Sequence, residues 1–172
     1  MDEHTPGGRW PIMCATELTL ASLPSAPSTG RLLVQRYLKA WCMEHMIDKA
    51  QLVTSELLTN AVKASVEFTT IQIRLVVLGG TSLIIEVRDR NPEPPILKDV
   101  ASDNEGGRGL MIVDAVSERW GYYHPTHRSK AVWAELLIPL PTREPEYLNV
   151  PPVAAMDNLQ ILHRVHTGLK NL

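Results

Sequence analysis

Glu56 and Asn60 lie four residues apart in the segment 52–64, Asp89 ends the alternating run 83–89, and Gly106, Gly107, Arg108 and Gly109 precede the apolar run that starts at Leu110. On a helix, residues four apart are separated by about 40° around the axis. This pair flanks a stripe of Val53, Leu57, Ala61 and Ala64, at the edge of a buried face. A carboxylate in that position can polarise a water or hydroxyl. An amide oxygen one turn away is a hard ligand suited to Mg²⁺, which keeps waters beside substrate phosphates. Asp89 shares a strand face with Leu83, Ile85 and Val87, so it is carried toward the interior, where a charge must be hydrogen-bonded. An acceptor-only carboxylate there suits the exocyclic amine of adenine. Glycines at a helix start expose backbone N–H groups to phosphate, and the helix dipole favours the anion. In this order and at these separations the blocks point to an ATP pocket. Singly, each also fits something plainer. The helix pair fits a polar rim, Asp89 fits a cap on the turn that follows it, and the glycines fit a loop end.

The elements that must position these residues are legible from periodicity. A short strand is expected at Thr16–Leu20, ended by Pro24 and Pro27. Ser28 is expected to cap a helix from about Thr29 to Glu44, and a second helix runs from about Asp48 to Ser65. Ile71, Ile73, Leu75 and Val77 form one strand face, Leu83 to Asp89 another, and Gly79-Gly80 between them signals a hairpin. Prolines and acids over 90–106 exclude sheet and imply a long loop, of a kind that is usually functional or disordered. A third helix is expected over about Arg108–Glu118. Strands are expected near Trp120–His124 and Ala131–Ile138, with a turn at 125–129. The chain therefore divides into a lead-in at 1–15, one domain at 16–139, and a proline-rich linker with a short helix at Met156–Leu169 in 140–172.

Composition narrows the class. The chain has 172 residues, 44% of them apolar but only 5% aromatic, so the core is expected to be aliphatic. The net charge is −2 and Lys and Arg are not clustered, which argues against direct nucleic-acid binding. No apolar run approaches membrane-spanning length and no signal peptide is visible, so a cytoplasmic protein without membrane contact is expected. Cys14 and Cys42 read as reduced thiols. The pairs His124/His127 and His163/His166 have metal-like spacing but no Cys or carboxylate partner nearby, and read as surface histidines. A Walker A loop and a protein-kinase catalytic loop are both absent. A Rossmann reading fails because an acidic, proline-bearing loop rather than a strand precedes the glycines.

Together the blocks resemble the GHKL ATPase superfamily over about residues 16–139, and more closely its small stand-alone members related to anti-sigma-factor serine/threonine kinases. Glu56-Leu-Leu-Thr-Asn60-Ala is similar to the N box, Val87-Arg-Asp89 to the adenine strand, and Gly106 to Val113 to the second glycine box. The resemblance implies Glu56 as general base, Asn60 as Mg²⁺ ligand, Asp89 at adenine, and Gly106, Gly107, Arg108, Gly109 and Leu110 near the phosphates. It implies ATP and Mg²⁺ as cofactors. It also implies the Bergerat fold, an α/β (α+β) two-layer sandwich whose mixed, mostly antiparallel sheet carries helices on one face. Where many members follow the adenine Asp with glycines, this chain has Arg90-Asn91-Pro92, and its second glycine box is abbreviated. Two functions follow from the resemblance. One is a kinase that phosphorylates a small anti-sigma antagonist and can hold a sigma factor. The other is a nucleotide-gated module that sequesters a regulator without phosphate transfer. A homodimer through the N-terminal strand, burying Leu18 or Leu20, is implied as well.

Overall fold

A computed structural model describes residues 12–65, 69–95 and 108–139. The elements run β1 (Ile12–Ala21), α1 (Ala26–Ala40), a short 3-10 turn at Glu44–Met46, α2 (Ile47–Ala64), β2 (Thr70–Leu78), β3 (Ser82–Asp89), α3 (Gly109–Val116), β4 (Arg119–Thr126) and β5 (Ser129–Leu137). The five strands form one sheet in the order β1-β2-β3-β5-β4. All four neighbouring pairs are antiparallel. The fold is α+β, and it fits the two-layer sandwich expected.

Period-two alternation decides which side of the sheet each residue serves. Ile71, Ile73, Leu75 and Val77 of β2 join Leu83, Ile85 and Val87 of β3 and Val132, Ala134 and Leu136 of β5 in one core. Val34 and Leu38 of α1 and Val53, Leu57, Leu58 and Ala61 of α2 pack into it. Val76, Ile84 and Trp133 form a smaller cluster of the opposite parity. β3 is central and buried at nearly every position. β1 is an edge strand, so its inward Cys14, Leu18 and Leu20 are only half-buried while packing on the core. Gly79 and Gly80 join β2 to β3 with φ of 56° and 70°. The Thr81 N–H donates to the Leu78 carbonyl at 3.0 Å. Positive φ at both central positions is the geometry that matches strand twist, and glycine adopts it without penalty.

Element boundaries differ from the sequence expectation in physically specific ways. α1 starts at Ala26 rather than near Thr29, because Pro27 sits in the first turn, where its missing N–H costs nothing. It ends at Ala40, not near Glu44. Cys42 takes φ 56°, its N–H donates to the Lys39 carbonyl, and the Met43 N–H donates to the Leu38 carbonyl. That is a Schellman closure with cysteine where glycine is usual. β1 is twice the expected length, since pairing with β2 extends to Ile12 despite weak alternation there. β4 continues through Pro125 to Thr126 by a register shift after Tyr123, where a missing N–H is tolerated. The helix expected at Met156–Leu169 and the linker before it lie outside the described residues, as do residues 96–107 with Gly106 and Gly107. No described helix is long and apolar enough to cross a membrane. Cys14 is half-buried, Cys42 is exposed, and neither is in a disulfide.

Candidate functional site

A cavity of about 620 Å³ opens between α2, the inward ends of β3 and β5, the first turn of α3 and the start of the loop after Asp89. Leu57, Val87, Leu110 and Val132 give it apolar walls, and Asn60, Asp89 and Lys130 give it polar ones. An apolar slot with a few convergent polar groups is the usual form of a small-molecule site.

Asp89 ends β3 with only 2% of its surface exposed. Lys130, the register partner of Asp89 on β5, is 5% exposed and donates from Nζ to Asp89 Oδ1 at 3.0 Å. The Asn91 N–H donates to the same Oδ1 at 2.8 Å. Burial raises the Asp89 pKa above its ordinary 3.8, and the Lys130 hydrogen bond and charge, with the Asn91 N–H, pull against that rise. Oδ1 thus does the structural work of pairing and turn capping, while Oδ2 has no hydrogen-bond partner among the described residues. The turn-cap reading of Asp89 is therefore true of one oxygen, and the other remains an open acceptor at the cavity.

The Arg90-Asn91-Pro92 departure has a structural role. Asn91 Nδ2 donates to the Ala64 carbonyl at the end of α2 (3.2 Å), and the Glu93 N–H donates to Asn91 Oδ1 (2.8 Å). Lys130 Nζ also donates to the Asn91 carbonyl at 3.1 Å. His124 bonds the Pro92 carbonyl at 2.7 Å through Nε2. The loop thus leaves the site from a fixed root.

At the other end, Glu56 and Asn60 are half-buried on α2. Neither side chain has a hydrogen-bond partner among the described residues. Gly109, the first residue of α3, stands directly over them. A Cβ built there would lie 2.5 Å from Glu56 Oε2 and 3.4 Å from Asn60 Nδ2. Glycine is what permits this approach, and it brings the start of α3 onto the Glu/Asn pair. Arg108 is the exposed N-cap residue of α3 and offers no side-chain cap, so the first N–H groups of the helix have no intrahelical partner. Leu110 is buried and forms part of the cavity wall. Glu56 itself is not part of that wall. Among the described residues no group of three or more His, Cys, Asp or Glu side chains is placed to hold a metal. Asn60 would hold Mg²⁺ only together with phosphate oxygens and water, as that ion commonly requires.

The sequence reading missed Lys130. The signal was present, because Lys130 has the same parity as the inward Val132, Ala134 and Leu136. A charge at an inward position at a strand start needs a buried partner, and the register supplies Asp89.

The residues fit an adenine nucleotide: an acceptor oxygen and an apolar slot at one end, an amide and an uncapped helix start at the other. Comparison with solved structures agrees on the fold. The crystal structure of the RsbU and RsbW domains of Rv1364c from Mycobacterium tuberculosis superposes with a TM-score of 0.56 at 18% identity, over 73% of this chain and 33% of that one. This chain therefore spans about a third of that protein's resolved length. Among curated proteins none matches. The family described as histidine kinase-like ATPase domain matches residues 21–135, from the end of β1 to β5 and across every block of the site. The chain belongs to the histidine kinase-like ATPase domain family, whose members are ATP-binding by that description.

Proposed function

We propose that this chain is a Mg·ATP-dependent serine/threonine kinase of the anti-sigma-factor type, acting on a small antagonist protein. The observation that carries the reading is the placement of Gly109 over Glu56 and Asn60, beside the cavity that ends in Asp89. ATP supplies the phosphoryl group when bound. With ATP bound, Asp89 Oδ2 would accept from the adenine amine, and Leu57, Val87, Leu110 and Val132 would exclude water around the base. Asn60 Oδ1 and the first N–H groups of α3 would hold the metal and phosphate end. Glu56 takes the proton from the attacking hydroxyl of the protein substrate. The fold likeness to a protein containing an RsbW domain supports this choice among ATPase functions. Incubating the chain with Mg·ATP and a candidate antagonist, with phosphoserine or phosphothreonine read by mass spectrometry, tests it. Phosphate on the antagonist is the expected result, and binding without transfer rejects the kinase.

One observation favours the second reading, a nucleotide-gated module that sequesters a transcription regulator. Glu56 packs under Gly109 and is not part of the cavity wall, so a nucleotide can be held without a base in reach of the hydroxyl. Under that reading the partner binds more tightly with Mg·ATP and remains unmodified. For association, β1 is an edge strand, and its exposed Ile12 (55%) and Met13 (63%) offer apolar surface for the proposed homodimer. Ile12 and Met13 are better probes of it than Leu18 and Leu20, which pack on the chain's own core. A monomer by light scattering at tens of micromolar rejects the dimer.

A further inference from the structure

A second cavity, of about 430 Å³, lies at the same end of the sheet and is built from different chemistry. Arg88, Arg90 and Arg128 line it with Thr70, Thr126 and Ser129. Arg88 sits between the inward Val87 and Asp89, so it projects from the sheet face opposite the helices. Gln72 is its partner on β2 and Ala131 its partner on β5. Arg128 and Ser129 belong to the tight β4–β5 connection, which is pinned by the Thr126–Ser129 hydroxyl bond (2.7 Å) and by the Arg128 N–H donating to Thr126 Oγ1 (3.3 Å). Arg90 follows β3 and is exposed.

The charges here are unbalanced. The described ion pairs are Arg74–Glu86, Arg119–Glu135 and Lys130–Asp89, so none involves Arg88, Arg90 or Arg128. Asp89 is the one carboxylate among the described lining residues, and Lys130 already holds it. Unpaired like charges gathered in one concavity repel one another and raise the local potential. They remain together at least cost when an anion visits. The guanidinium fork binds tetrahedral and carboxylate oxyanions through paired N–H donors, and the hydroxyls of Thr70 and Ser129 can add donors of their own. A single carboxylate would neutralise one of the three arginines, whereas a phosphate monoester carries close to two negative charges at neutral pH.

We infer that this outer cavity is a phosphate-monoester site, distinct from the nucleotide cavity on the helix side of the sheet, with which it shares Asp89 as a wall residue. Its ligand is a phosphorylated side chain of a polypeptide or a free phosphate, and the chemistry that recognises either is the same. The site does not depend on whether the chain transfers phosphate, and its test does not measure transfer.

The test uses the full-length chain at low ionic strength, with the arginine Nε–H resonances followed by NMR. It is titrated with a capped phosphoserine pentapeptide, the same peptide unphosphorylated, its glutamate counterpart, and inorganic phosphate. The phosphoserine peptide or inorganic phosphate should shift resonances that disappear in Arg88→Ala, Arg90→Ala and Arg128→Ala. The tighter of the two names the source. The unphosphorylated peptide should not bind. The double variant Arg90→Ala/Arg128→Ala should bind at least about tenfold more weakly. Arg128→Gln alone, in an exposed turn, repeats the test should the double variant misfold. Arg36→Ala on the exposed side of α1 should bind like the parent. Saturating Mg·ATP should not displace the peptide. Parent-like affinity in the folded double variant, competition by ATP, equal binding of the glutamate peptide, or no phosphate-dependent shift at all would each overturn the assignment.

Discussion

The two ends of the candidate site are built on opposite plans. At the β3 end, Asp89 is buried, paired with Lys130 and capped by Asn91, and the loop that follows is tied to α2 and β4. At the α2 end, Glu56 and Asn60 are half-buried with no hydrogen-bond partner among the described residues, and Gly109 approaches them without a side chain. One end is preorganised before any ligand arrives. The other has donors and acceptors waiting for partners. Preorganisation favours affinity because little ordering remains to be done on binding. Unsatisfied polar groups at the other end gain most from charge that develops during reaction. Affinity should therefore be set mainly at Asp89 and turnover mainly at Glu56.

The largest expected effect would break that division if it failed. Glu56→Gln keeps shape and polarity but removes the proposed base, so phosphate transfer should fall about 10²- to 10⁴-fold with ATP affinity nearly unchanged. Gly109→Ala should act on the same end more mildly. Its methyl meets the movable tip of Glu56, so the fold survives while the carboxylate is displaced. Calorimetric ATP binding beside a single-turnover transfer assay separates the two quantities. Equal losses in both would mean that the ends are not independent.

Asp89→Ala is the converse change. A hydrogen bond to a charged group contributes about 1.5–3 kcal/mol, so ATP affinity should drop roughly tenfold to a hundredfold. The variant also leaves Lys130 buried without its partner, which is costly in itself. Asp89→Asn, which retains a carbonyl acceptor, should lose less affinity. A nucleotide titration of both variants, with the thermal midpoint recorded, distinguishes the lost contact from a weakened fold.

Much of this arrangement was legible in the sequence, and the exceptions have causes. Glu56, Asn60 and Asp89 could be placed because helix and strand periods are local properties of the chain. Lys130 escaped notice because its importance depends on register, a contact between positions 89 and 130 that no local window contains. The end of α1 was misplaced because apolar spacing continues through Trp41 while the backbone has already reversed at Cys42, a residue without the usual glycine signal. β1 was expected to be half its length because an edge strand is held by backbone pairing more than by buried side chains. The outer arginines are scattered over 88–128 in sequence and meet only when β3, β4 and β5 are laid side by side. A composition showing no basic run was therefore compatible with a local basic concavity.

A pH series sharpens the comparison at the locked end. Under the proposed function Asp89 would accept from adenine best when ionised, and burial has moved its titration above 3.8. ATP affinity should therefore fall on acidification before ordinary carboxylates protonate. Lys130→Met removes the main groups that oppose the rise, so the loss should begin closer to neutrality. The effect on stability has the opposite sign. A raised carboxyl pKa means that this group favours folding below its unfolded value, and that contribution is lost as pH rises through the folded value. Acid weakening of ATP binding should thus appear without unfolding driven by Asp89, and Lys130→Met should be more destabilised at pH 7 than at pH 4. Thermal melts and ATP titrations over the same pH range check both signs.

The smallest effect tests whether the α2 frame can be tightened without disturbing the open end. Thr54 lies on α2, fully buried, one turn before Leu58 and two residues before Glu56, and its hydroxyl has no hydrogen-bond partner among the described residues. A buried hydroxyl left unsatisfied costs about 1–3 kcal/mol, and replacement by an apolar group of the same shape removes that cost. Valine has that shape and a similar helix propensity, so Thr54→Val should raise stability by about 1 kcal/mol, seen as a higher denaturation midpoint at unchanged m-value. Glu56 is held by the same helix but owes nothing to that hydroxyl, so ATP affinity and transfer should both stay at the parent level. A stabilised variant with reduced transfer would show instead that the free state of the Glu56 end depends on slack in α2, and the two ends would then differ in flexibility as well as in bonding.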